Sequence, residues 1–124
     1  MGLNLSIYPL VDPSRLRGTA SCLDRLSFDR DYRIFAQFSD AELRAGDTPE
    51  YPVGSIKCER IPSDCWLDIN GKRTRKNGDQ VVTFVYAEDA QRLMMPADTS
   101  QKNKAIKAFI DALPPDAPII LWWS

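Results

Sequence analysis

An α+β fold is the class this sequence predicts: one domain over residues 1–124, with a mixed, mostly antiparallel sheet of four or five strands and two to three helices. Three observations predict it. Leu3, Leu5 and Ile7 alternate with Asn4, Ser6 and Tyr8 at the period-two spacing of a half-buried strand. Val81 to Tyr86 is an unbroken run of β-forming residues. Ile106, Phe109, Ile110 and Leu113 fall at the i, i+3, i+4, i+7 spacing of an amphipathic helix.

After the first strand, Pro9 and Asp12-Pro13 break the regularity, and residues 14–21 read as an irregular connection. Cys22 to Phe28 reads as a second short strand. Asp29 is placed to N-cap a helix from Arg30 to Phe38, with a wide apolar stripe of Tyr32, Ile34, Phe35, Ala36 and Phe38. Ser39-Asp40-Ala41-Glu42 has capping-box spacing and predicts a further helical turn that stops at Gly46. From Asp47 to Ser63, Pro49, Pro52, Gly54 and Pro62 predict a long loop with one extended piece near Ile56.

Cys65 to Ile69 reads as a strand that ends at the turn signal Asn70-Gly71, and Asn77-Gly78 is a second type I′ signal before the strand Gln80 to Tyr86. Two arrangements fit: a meander with residues 72–76 as a short middle strand, or one hairpin with a long basic tip. Ala87 to Leu93 reads as a short helix with Glu88 and Asp89 near its positive end. The last helix is capped by Asp98 or Thr99, turns Lys104, Lys107 and Asp111 to water, and stops at Pro114-Pro115. Ile119 to Trp123 is apolar on both faces, as expected of a central strand in a covered sheet. Trp122 and Trp123 point to opposite faces, so one joins a core layer and the other packs on a helix or meets a partner.

With 16 basic and 17 acidic side chains, the formal charge of −1 argues against nucleic-acid binding through the overall field. The absence of histidine removes Ser-His-Asp and Cys-His catalysis and histidine-bearing zinc sites. There is no GxGxxG, P-loop or GxSxG. The close carboxylates Asp64/Asp68 and Glu88/Asp89 belong to no reaction-specifying motif, so no enzyme and no cofactor are expected. Cys22, Cys58 and Cys65 are odd in number and lack CxxC spacing, which suits reduced core thiols in a cytoplasm. A metal would need a fourth ligand such as Asp64, and none is expected. The N-terminus lacks a signal-peptide pattern, and no run is long enough for a membrane helix. Gly2 with Ser6 loosely fits an N-myristoylation pattern, but the segment reads better as a strand.

Two segments are candidates for recognition. Lys72, Arg73, Arg75 and Lys76 place four cations in five residues between the two turn signals. They would suit a phosphate backbone or a nucleotide's phosphates; the competing reading is a charged edge that prevents strand pairing. No aromatic residue interleaves with them in sequence, which counts against single-strand stacking. The second runs from Asp24 to Arg33, where Arg25, Arg30 and Tyr32 would form a recognition surface; the competing reading is a network of caps and ion pairs.

Three stretches together resemble small proteins that recur in bacteriophage and prophage genomes: Met1 to Leu10, Leu26 to Phe35, and Ala112 to Trp123, about a quarter of the chain. None is a catalytic motif. The resemblance implies an accessory protein that acts stoichiometrically in the bacterial cytoplasm on a host component, either a defence protein or a small anionic signalling nucleotide. A nucleic-acid-binding accessory protein using residues 71–78 is the alternative. A nucleotide sponge is expected to be a homo-oligomer, because so small a monomer has little room for an enclosed site.

Overall fold

A strand with no polar alternation is stable only where both of its faces are covered. In the computed structural model, which describes residues 3–10, 16–22, 24–41 and 51–124, the apolar C-terminal run has that position. The elements are β1 (Leu5–Pro9), β2 (Gly18–Cys22), β3 (Leu26–Ser27), α1 (Tyr32–Phe35), β4 (Glu59–Arg60), β5 (Cys65–Ile69), β6 (Lys72–Thr74), β7 (Lys76–Asn77), β8 (Gln80–Val81), β9 (Thr83–Tyr86), α2 (Ala87–Ala90), α3 (Gln101–Asp111) and β10 (Pro118–Trp123). An antiparallel sheet has the order β3-β1-β10-β9-β4, with β10 in the middle; β2, β5 and β6 form a second sheet, and β7 pairs with β8. This is an α+β fold.

The period-two alternation of the central strands divides the interior into two cores. Leu5, Ile7, Val85, Ile119 and Leu121 face Ile34, Phe35, Ile106 and Ile110 of the helical layer. Tyr8, Phe84 and Ile120 face Ala20, Cys22, Cys65 and Leu67 of the second sheet. The adjacent tryptophans serve one core each. Trp123 meets Phe35 and Phe38 edge-on, both at 6.0 Å, and Trp122 packs against the other cluster.

Several local expectations are corrected. Residues 18–22 form a strand rather than an irregular connection, because β2 lies parallel to β5 with Ala20 opposite Leu67. Only Leu26 and Ser27 remain of the strand expected over Cys22 to Phe28. The helix expected from Arg30 to Phe38 is a single turn capped by Asp31, not Asp29. After it, Gly54 and Ile56 donate backbone N–H groups to the carbonyls of Ala36 and Gln37, which replaces continued helix with a bridge between Phe38 and Ile56. Ile56 is thus the expected extended piece; the turn expected up to Gly46 lies largely outside the described residues.

The strand expected over Gln80 to Tyr86 breaks at Val82, whose N–H donates to Arg75 and whose carbonyl accepts from Ile61. Its hairpin turns at Gly78-Asp79, since Asn77 pairs with Gln80 and only Gly78 has positive φ, as a type II′ turn requires. Ser100, not Asp98 or Thr99, caps α3, accepting from the N–H of Asn103 at 3.1 Å. The buried line of α3 is Asn103, Ile106 and Ile110, which leaves Phe109 44% exposed instead of in the core. Among the described residues no helix is long and apolar enough to cross a membrane.

Candidate binding surface

Asn70 and Gly71 both have positive φ, at 55° and 78°, which is the type I′ turn their sequence signals. A two-residue loop there sets Ile69 opposite Lys72, Asp68 opposite Arg73 and Leu67 opposite Thr74. Because Cys65 and Leu67 are buried, Trp66, Asp68 and Arg73 must lie on the outer face. There the Arg73 guanidinium stacks 4.6 Å from the centre of the Trp66 ring, which stays 37% exposed. Lys72 is exposed too, but standing opposite Ile69 it alternates to the other side of β6 from Arg73, and Lys76 is exposed on β7, which pairs with β8. Among the described residues, no carboxylate forms a salt bridge with Lys72, Arg73 or Lys76.

Arg75 is a different kind of residue. Its Nε donates to the Cys65 carbonyl at 2.9 Å, and its Nη2 to the carbonyls of Pro62 at 3.0 Å and Ile61 at 3.3 Å. Thr74 braces the backbone on either side of Arg75: its hydroxyl accepts from the Lys76 N–H and donates to the Lys76 carbonyl. The four cations therefore form no hairpin tip: Lys72 and Arg73 lie on β6 and Lys76 on β7, all three facing solvent, and Arg75 between the strands ties them to the preceding loop.

Arg25, Arg30 and Tyr32 lie by the five-stranded sheet instead. The guanidinium of Arg30 donates to Asn4 Oδ1 at 3.1 and 3.2 Å, and Tyr32 accepts from the Leu3 N–H at 3.3 Å. Asp31 accepts from the Arg33 side chain, from the Arg33 N–H and from Thr99 Oγ1. Burial pushes its carboxyl upward, but these hydrogen bonds outweigh burial and leave it below the ordinary aspartate value. Hydrogen bonds to Asp31 and then Asp98 in turn raise the Arg33 guanidinium. This part of the segment is a cap and ion-pair network. Arg25 stands apart, exposed at the rim of a groove between β3 and α3.

A concavity of about 580 Å³ lies over Leu121, Thr83 and Trp123 with Asp40 and Arg60 at its margin. Thr83 donates its hydroxyl to Asp40, and Asn77 donates its side-chain amide to the Trp123 carbonyl, so these polar groups are engaged within the protein. Among the described residues no group of three or more Cys, Asp or Glu side chains is placed to hold a metal. The thiols are muted as nucleophiles. Burial, reinforced by Cys65 and Asp68, pushes Cys22 up to about 12; burial also raises Cys58 and Cys65.

Sequence reasoning missed Trp66, the aromatic partner of Arg73. The signal was present: counting back from Asn70-Gly71 places Trp66 diagonal to Arg73 on one face. No family model, no curated protein and no solved structure matches this chain.

Proposed function

We propose that this protein is a non-enzymatic binding protein that presents the outer face of its three-stranded sheet to an acidic surface of a host protein, neutralising that protein by occupancy in the host cytoplasm. The exposed Trp66–Arg73 stack, whose guanidinium forms no salt bridge among the described residues, carries the reading. Tryptophan and arginine dominate the energy of protein interfaces. A guanidinium already held over an indole has less freedom to lose on docking. An open sheet face suits a macromolecular partner better than a small nucleotide, which needs concave enclosure. The resemblance of the termini to phage proteins supports a host component as the target.

The test is affinity capture from bacterial lysate with the wild-type protein and with W66A and R73A, each followed by native mass spectrometry. A captured acidic host protein that both variants lose, and that moderate salt releases, is the expected result. Equal capture by all three proteins overturns the proposal, and a small-molecule mass excess on the purified protein would transfer the site to a nucleotide. Trp66 beside Arg73 also favours a second reading, single-stranded nucleic acid stacked on the indole. That reading requires retention on a single-stranded DNA or RNA column with a steep salt dependence; flow-through at low salt ends it.

A further inference from the structure

We propose that the groove between β3 and α3 takes an extended acidic peptide segment of a partner protein by strand addition. This is a second surface, on a different sheet from the Trp66–Arg73 face. Among the described residues β3 is an edge strand that pairs only with β1. The Phe28 N–H donates to the Leu5 carbonyl at 3.0 Å, so the peptide groups of Phe28, and of Leu26 two residues before it, point to β1. Those of Ser27 therefore point away from β1. The Ser27 hydroxyl, 2.8 Å from that of Ser6, agrees with the close approach of a non-hydrogen-bonded pair.

Two residues further on, at Asp29, the outward peptide groups are already taken. The Asn103 side chain accepts from the Asp29 N–H at 2.8 Å and donates to the Asp29 carbonyl at 3.1 Å, standing in for a neighbouring strand. Beside Ser27 the helix supplies no such amide. It supplies Ala105, Ile106 and the half-exposed ring of Phe109, around a space of about 400 Å³. An apolar trough beside strand hydrogen-bonding groups that no described residue takes up is the geometry of β-augmentation.

Charge selects the occupant. Arg25 and Lys102 are exposed at the groove, and among the described residues neither is in a salt bridge. An acidic side chain or terminal carboxylate meets them while an apolar side chain meets Phe109. From Lys102 to Phe109 the helix rises about 10 Å, room for about three residues of extended chain. The occupant is thus a short segment with acidic and apolar positions in alternation.

Fluorescence anisotropy of a labelled Glu-Val-Glu-Phe-Glu-Val peptide against the full chain tests this. Saturable binding below ~1 mM is expected. F109A should weaken it about tenfold, and the exposed double variant R25E/K102E should weaken it by more. Methylation of alternate peptide nitrogens should abolish binding in one register and spare it in the other. R73A should leave it unchanged, which separates this site from the proposed host-protein face. No saturation by ~1 mM, equal affinity for F109A, or insensitivity to methylation in both registers overturns the proposal. So does a homodimer, seen in sedimentation of the free protein, that F109A dissociates, because the groove would then belong to a second copy.

Discussion

The carboxamide of Asn103 closes a two-point hydrogen-bonded ring with the backbone of Asp29, 74 positions away in sequence. The same Nδ2 also donates to Thr99 Oγ1 at 3.1 Å. One buried side chain, 1% exposed, thereby joins α3 to the chain that leads from β3 into α1. It also accounts for Asp29 lying outside the helix, which starts at Tyr32.

N103A should therefore cost about 2 kcal/mol, the scale of losing a buried hydrogen-bonded amide. N103D should cost more at neutral pH, since it keeps an acceptor for the Asp29 N–H but sets a carboxylate against the Asp29 carbonyl. Urea titrations at pH 7 would rank the two; equal midpoints for N103A and wild type would refute the assignment.

Asp31 caps α1 and accepts from Arg33 and Thr99, so D31A should destabilise by about 2 kcal/mol. Its folded-state pKa lies below that of the unfolded chain. The contribution is therefore complete above the unfolded value of about 3.9 and fades as pH falls through the folded value. Denaturation at pH 7 should separate wild type from D31A clearly. The gap should narrow on acidification toward about pH 2, and a constant gap would mean that the carboxylate charge plays no part.

Arg73 and Arg75, two positions apart, should behave oppositely. R75A abandons three backbone carbonyls and should cost about 2–3 kcal/mol of stability. R73A gives up an exposed stack worth about 0.5–1 kcal/mol. Thermal melts of both variants test the contrast, and the reverse order would show that residues 72–76 are arranged differently.

All three thiols should react slowly with Ellman's reagent in the native protein at pH 8, because only the thiolate attacks and burial raises each pKa. Cys58, half-buried, should react first, and Cys22, buried and pushed up to about 12, last. Guanidinium should release all three together. A fast native phase from Cys22 would show that its pocket is open.

By itself the sequence determined the elements whose information is local. The alternation of Leu5 and Ile7, the two-faced apolarity of Ile119 to Trp123 and the helical spacing of Ile106 and Ile110 each name an element and its buried face. Asn70-Gly71 also contained the register that brings Trp66 to Arg73, because a two-residue loop fixes which residues stand opposite. Tertiary structure decided what depends on a neighbour arriving from elsewhere. Gly18 to Cys22 has small side chains and little strand preference, and it becomes a strand because β5 lies parallel beside it. The helix after Asp31 ends after one turn because Gly54 and Ile56 take the carbonyls of Ala36 and Gln37. Arg75 turns inward because the carbonyls of Ile61, Pro62 and Cys65 converge on it, and Phe109 stays outside because the buried line of α3 runs through Asn103. Periodicity tells a residue which face it shares; only the packed chain tells it what that face will meet.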